Sequence, residues 1–264
     1  MLSSILIVAD YKEKYIKETI KSCLNQTYKK IEILVGYSYL RNIELIKKAF
    51  VCDKLKFFRI KRKYYYPTQD QIYKIKFLLK KSKGKYIFLL DGDDLFLKEK
   101  ITYILNNKNI KKKLVSDNFM LQKNNGREII LKKNYKNNFI FRKIFNNWPQ
   151  KICTSTISLP RKLIEDFFND NRTFSWKTLA IDVQLIIYYY LKNKFYTTEK
   201  ILTIKNEHEK NLDNKFSNIL SKIYWKRRYE QHEYYYNLTN KKSLEYYICF
   251  VINFFTSFDN KKYN

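Results

Sequence analysis

The sequence predicts an α/β protein with a mostly parallel central sheet flanked by helices, and three observations predict it. Short, β-prone apolar runs alternate with segments of helical period through the first hundred residues. One of those runs, Tyr86 to Leu90, is apolar at every position. With only 4 Gly and 3 Pro in 264 residues, no stretch reads as a flexible tether between separate domains. A hydrophobic share of 45%, including 24 Tyr and 19 Phe, supplies apolar surface for a core and excludes wholesale disorder.

Taken in order, Ser4 to Ala9, Ile31 to Val35 and Lys56 to Ile60 read as strands. Between the first two, Ile16, Ile20, Cys23, Leu24 and Thr27 recur at spacings of three and four, one stripe of a helix that can lie on a sheet. Ile43, Ile46 and Phe50 repeat the pattern, and Ile72, Ile75, Leu78 and Leu79 predict a helix over Gln69 to Ser82, stopped by Gly84 as a left-handed terminal residue. The unalternating run Tyr86 to Leu90 is expected to be buried on both faces, at the centre of the sheet. Further on, Leu114 to Leu121, Arg127 to Leu131 and Cys153 to Leu159 read as strands, with Gly126 at a hairpin turn. Arg161 to Phe168 and Leu179 to Leu191 read as helices, as does the chain from Phe216 through the charged WKRRYEQHEYYY, and a last apolar helix starts at Ser243.

The 53 Lys and Arg against 25 Asp and Glu leave a net charge of +28, open to two readings. Such a field draws polyanions, a nucleic acid or an anionic membrane. Alternatively it reflects an AT-rich coding bias, since Lys, Asn, Ile, Tyr and Phe abound while alanine is confined to Ala9, Ala49 and Ala180. The basic residues cluster, with twelve between Lys108 and Lys151, where a phosphate-bearing partner would fit. Tyr246 to Phe258 is uncharged and aromatic but short of the ~20 apolar residues of a membrane span, so it packs or lies on a membrane surface. Four dispersed cysteines without a C-x-x-C pair fit a reducing cytosol, and the N-terminus lacks the basic and long apolar regions of a signal peptide. A cytoplasmic protein, peripheral on the cytoplasmic face of the membrane if that helix docks there, is the expectation.

Directly after the apolar strand come Asp91-Gly92-Asp93-Asp94. Three carboxylates at the end of a buried strand repel one another unless a cation or donors compensate. A hard ion, Mg²⁺ or Mn²⁺, answers this, because it takes one or two protein carboxylates and completes its shell with water and phosphate oxygens. Ligands in open α/β sheets also bind outside the carboxyl ends of strands. The plainer reading is a tight turn at Asp91-Gly92 with Asp93 or Asp94 capping a helix near Leu97.

Two separated motifs favour the ligand site. Lys83-Gly84-Lys85-Tyr86-Ile87-Phe88-Leu89-Leu90-Asp91-Gly92-Asp93-Asp94 resembles the signature of family 2 glycosyltransferases, and Ser22-Cys23-Leu24-Asn25-Gln26-Thr27-Tyr28 resembles the end of that family's first helix. A third segment, Ala180-Ile181-Asp182 followed by Ile201 to Ile204 and Asn206-Glu207-His208-Glu209-Lys210-Asn211, is similar to the family's helix-opening acid and later H-x-x-N stretch. The resemblance implies a GT-A fold, Rossmann-like, over residues 1–212, with 213–264 as a helical extension that matches no motif.

It also implies an inverting transfer of sugar from a nucleotide-diphosphate donor, a UDP-sugar being favoured, to a glycan or lipid-linked saccharide acceptor in bacterial surface polysaccharide or lipopolysaccharide assembly. By the same resemblance Asp93, with Asp91, holds the metal and both bind donor, and Asp182 is the catalytic base; His208 completes the metal shell or contacts the diphosphate, the plainer readings being a packing histidine at a strand end and, for Asp182, an acid favoured by the helix dipole. The chain departs from the family after its second strand, where Val35-Gly36-Tyr37-Ser38 lacks the acid that reads a uracil edge. Tyr37, by stacking, and Asp10, by hydrogen bonding, are the residues available to take over donor binding. The alternatives are a degenerate GT-A scaffold, or a basic nucleic-acid-binding protein, which would explain the charge but not the acids; with the transferase reading, no nucleic-acid partner is expected.

Overall fold

The structure, a computed structural model, describes residues 1–123, 126–130, 148–149, 152–170, 176–208, 216 and 218–258. Its first half runs β1 (Ser3–Val8), α1 (Ile16–Leu24), β2 (Ile31–Tyr37), α2 (Ile43–Ala49), β3 (Leu55–Arg59), α3 (Pro67–Lys81) and β4 (Tyr86–Asp91). Then follow β5 (Leu95–Phe96), α4 (Lys100–Asn106), β6 (Leu114–Lys123), β7 (Gly126–Ile130), β8 (Ile157–Pro160), α5 (Arg161–Phe168), α6 (Ile181–Leu191), β9 (Phe195–Asn206), α7 (Lys222–Thr239) and α8 (Leu244–Phe258).

These strands form one sheet in the order β3-β2-β1-β4-β8-β6-β9-β5, with β7 added to β6. β3, β2, β1 and β4 are mutually parallel, β6 is parallel to β9, and β8, β7 and β5 run antiparallel to their neighbours. The expected doubly wound, mostly parallel sheet is therefore present. Its strands lack alternation because both faces are covered: Ile5, Ile7, Ile33, Val35, Phe88 and Leu90 pack with α1 and α4, whereas Leu6, Leu34, Ile87 and Leu89 pack with α3, α5 and α6. Each such side chain taken out of water contributes about 1.5–3 kcal/mol.

Several expectations are corrected by tertiary contacts. Gly84 is not a left-handed terminus, since Gly126 is the glycine with positive φ and α3 stops at Lys81 with Ser82 extended. Gly84 is glycine because β1 passes over it. An added Cβ would lie 2.3 Å from Ser4 Oγ and 2.4 Å from Ser4 N. Gly84→Ala is accordingly expected to cost roughly 1–3 kcal/mol, read as a lower urea midpoint at unchanged slope; an unchanged midpoint would contradict the close approach.

Cys153 to Leu159 is not a single strand, because Thr154–Thr156 forms a 3₁₀ turn whose hydroxyls are used elsewhere, Thr156 Oγ1 lying 2.8 Å from Ser116 Oγ. The two-residue β5 is too short to register as a run, and β9 extends well before Ile201 through polar Thr197 to Lys200 because it pairs with β6. Neither Asp93 nor Asp94 caps a helix at Leu97, since α4 begins at Lys100 after Glu99. Leu131, the stretch 209–215 and a good part of the basic span from Lys108 to Lys151 lie outside the described residues.

α7 packs on α6 through Tyr234 and Leu238 against Ile186 and Ile187. Buried Glu230 of α7 accepts hydrogen bonds from Thr178 N at 2.6 Å and Thr178 Oγ1 at 2.7 Å, just before α6. Among the described residues no helix is long and apolar enough to cross a membrane.

Candidate active site

A cleft of about 400 Å³ opens at the carboxyl ends of β1 and β4 and beside the first turn of α6. It lies where the strand order reverses direction about β1, the position at which open α/β sheets admit ligands. Six carboxylates, Asp10, Asp70, Asp91, Asp93, Asp94 and Asp182, line it together with Lys12, Arg62, Lys205 and Arg227.

Local packing dictates how the acidic loop is held. Gly92 N donates to Val8 O at 2.8 Å, and a Cβ on Gly92 would lie 2.7 Å from Ala9 Cα, so a glycine is required where β4 leaves the sheet beside β1. Gln26, fully buried in the Q-T-Y motif, donates through Nε2 to Leu97 O at 2.9 Å, while Thr27 N donates to Lys98 O at 3.0 Å. The end of the first helix thus ties down the segment that follows the acids, which gives the two sequence motifs a joint structural task. From beneath, Ser155 Oγ donates to Asp94 Oδ2 at 2.6 Å and accepts from Asp91 N at 3.0 Å. Lys100 is wholly buried; its ammonium donates to Ser155 O at 2.7 Å and pairs with Asp117 at 2.7 Å.

The three acids turn in different directions. Asp94 points inward, where it also accepts from Asn206 N at 3.0 Å; burial and the neighbouring Asp93 charge push its carboxyl up to about 7. Asp91 accepts from Gln71 Nε2 of α3 at 2.7 Å, and burial, then the charges of Asp94 and Asp93, hold it well above the usual carboxylate range. Burial acts the same way on Asp93, but the His208 hydrogen bond and the Lys12 ammonium outweigh it and keep Asp93 below its ordinary value. His208 Nε2 is 2.8 Å from Asp93 Oδ2, its ring stacked on Tyr15 with centroids 4.7 Å apart, and Lys12 Nζ bonds the same oxygen. Asp93 is therefore the acid of the loop whose ionised form is favoured, with its Oδ2 engaged by Lys12 and His208, whereas Asp91 is held by the Gln71 amide.

Other predicted residues separate into those in the cleft and one outside it. Asp182, second residue of α6 and 8% exposed, accepts a hydrogen bond from its own helix's Val183 N at 2.7 Å and lines the cleft. Asp10 lines the cleft but is engaged on both oxygens, by Ser38 N at 2.6 Å and by the fully buried Lys74, which also pairs with Asp70 at 2.5 Å. Tyr37 is not in the cleft. The alternation along β2 puts it with Ile33 and Val35 in the layer beneath α1 and α2, and Ser38 lines the cleft instead. The predicted metal trio is joined by pairs: His208 reaches Asp93, whereas Asp91 is turned to Gln71.

Lys12, Gln71, Ser155 and Arg62 carry no signal in the sequence that marks them for the site, and Asn206 and Arg227, though inside quoted segments, have none that ties them to the acids. One lysine among 53 basic residues carries no individual signal, and the others become neighbours of the acids only through the fold. The donor set, two carboxylates with oxygen ligands at the mouth of a cleft, fits a hard divalent ion that completes its shell with water and phosphate.

The family described as Glycosyl transferase family 2 matches residues 4–168. A Haemophilus influenzae protein described as an uncharacterized glycosyltransferase is 33% identical over 107 residues, 40% of this chain and 41% of that protein, so the match spans less than half of that relative. Among solved structures, Staphylococcus aureus TarS residues 1–349 in complex with UDP-GlcNAc superimposes with a TM-score of 0.65 at 17% identity, over 96% of this chain and 70% of that one. The mannosyltransferase PcManGT from Pyrobaculum calidifontis, in complex with GDP-Man and Mn²⁺, gives 0.59 at 10% identity, over 96% and 69%. At these identities the likeness is one of fold.

Proposed function

The chain belongs to glycosyl transferase family 2 and has the GT-A fold, and from that premise we propose that it moves a sugar from a nucleotide-diphosphate donor to an acceptor hydroxyl with inversion at the anomeric carbon. One observation supports this reading above the others. Asp91 and Asp93, at the end of β4, share a single cleft with Asp182, at the start of α6, so a diphosphate and an attacking hydroxyl have separate acidic partners around one reaction centre.

In this reading residues 1–212 form the catalytic unit and 213–264 its extension, Arg227 of α7 lining the same cleft. Asp93, with Asp91 beside it, holds Mg²⁺ or Mn²⁺, which when bound neutralises charge on the leaving diphosphate. Lys12, Arg62, Lys205 and Arg227 surround the cleft as further cationic partners for phosphate oxygens. Asp182 accepts the acceptor's hydroxyl proton as that oxygen bonds to the anomeric carbon; the bond from that carbon to the phosphate oxygen breaks, and its electron pair leaves with the nucleoside diphosphate. His208 positions Asp93. A UDP-sugar is the favoured donor, and the acceptor is a glycan or lipid-linked saccharide of a bacterial surface polymer or lipopolysaccharide.

The test is a screen of nucleotide sugars for binding and slow hydrolysis with Mg²⁺ or Mn²⁺. At least one donor is expected to bind with the ion and to be released by a chelator. If the wild-type protein binds none with either ion, the scaffold reading replaces the enzyme.

A further inference from the structure

Helix α8 shows a two-sided character that the transfer reaction does not use. Its inner edge is held against α7 by Glu245, which pairs with Arg228 and lies 3.6 Å from His232 Nε2, by Cys249, wholly buried, and by Tyr246, whose ring is 5.9 Å from those of Tyr229 and Tyr236. On the opposite side Leu244, Tyr247, Ile248, Val251, Phe254 and Phe255 recur at steps of three, one, three, three and one, a single helical stripe, and they are between 46% and 68% exposed. A soluble surface rarely leaves so continuous an apolar strip in water.

Charge selects what covers it. The stripe itself contains no charge. Lys241 and Lys242 directly precede it, so cations stand at its start. A second copy of this chain carries the same net charge of +28, and the repulsion between two such copies opposes self-association. An anionic bilayer offers the complement, acyl chains for Leu, Ile, Val and Phe, and phosphates for the lysines.

We propose that this outer face of α8 docks in the headgroup region of an anionic membrane, with the helix axis in the membrane plane. The proposal deepens the reading of a lipid-linked acceptor but its test needs no turnover. The full chain is sedimented with vesicles of pure phosphatidylcholine and with vesicles of equal parts phosphatidylcholine and phosphatidylglycerol.

Binding is expected to the anionic vesicles, to weaken as salt is raised, and to fall roughly tenfold or more in Val251→Asp/Phe255→Asp, where two exposed apolar groups of the stripe are replaced by anions. A second variant, Tyr247→Ser/Ile248→Ser, is expected to lose binding in the same direction without added charge. Circular dichroism verifies that both stay folded, and donor binding in solution is expected to be unchanged in both. Wild-type protein that does not sediment with anionic vesicles, variants that bind as well as wild type, or a dimer in ultracentrifugation that both variants dissociate would each overturn the proposal. Loss of donor binding in the wild type would overturn the transferase reading and leave this one standing.

Discussion

Asp93→Asn is expected to abolish ion-dependent donor binding while the protein remains folded. The Asp93 carboxylate is the one acid of the loop whose ionisation is favoured, by the His208 hydrogen bond and the Lys12 ammonium, against its burial. It is therefore the acid best prepared to meet a divalent ion at neutral pH. An amide keeps the shape but removes the negative charge, and a hard ion then retains Asp91 alone, itself held above the usual carboxylate range. A charge-assisted hydrogen bond contributes about 1.5–3 kcal/mol, so losing even one such interaction lowers donor affinity by roughly 10- to 100-fold.

Asp93 is held below its ordinary value, so its charge favours the folded state, and the amide leaves Lys12 without its carboxylate; relief of the repulsion on Asp91 and Asp94 offsets part of this, and the unfolding midpoint is expected to fall modestly. Titration calorimetry with donor and Mn²⁺ reads the first effect, and a urea melt reads the second. Equal donor affinity in wild type and variant, with equal ion dependence, would sink the assignment. A nucleic-acid-binding protein would instead keep salt-sensitive oligonucleotide binding in the variant.

Asp182→Asn is expected to reduce turnover by roughly 10²–10⁴-fold, the usual contribution of a positioned base, with donor affinity essentially unchanged. Asn can still accept the Val183 N hydrogen bond that Asp182 accepts at 2.7 Å, so the start of α6 is preserved. What it cannot do is take a proton. The distinguishing signature is a fall in kcat with little change in KM for the donor. A loss confined to KM would make Asp182 a binding residue, and a turnover within a few-fold of wild type would place the base elsewhere.

Much of the site is legible before folding because its parts are local. Asp91, Asp93 and Asp94 follow an apolar run, and that run announces a central strand whose carboxyl end is where ligands bind. Gln26 and Thr27 are legible only as part of a motif; their work, holding Leu97 and Lys98, appears once α1 lies beside β5. The burial of Tyr37 is not legible in its motif because its side is set by strand parity: Ile33, Val35 and Tyr37 share one face, and that face belongs to the core. Gly84 resembles a helix terminus in sequence, and only the passage of β1 across it reveals the steric reason for its missing side chain.

The alternation of strands and helices, the burial of β4 on both faces and the acids placed after it are written locally in the chain, because hydrophobic period and chain chemistry act over a few residues. The tertiary structure alone decided which of many lysines faces Asp93, that Asp182 and Asp93 share one cleft, and that Asp10 is engaged by Lys74 and Ser38. Those contacts join residues tens of positions apart in the chain. They follow from strand order and helix packing, which are fixed by the summed burial of the whole core rather than by any local pattern.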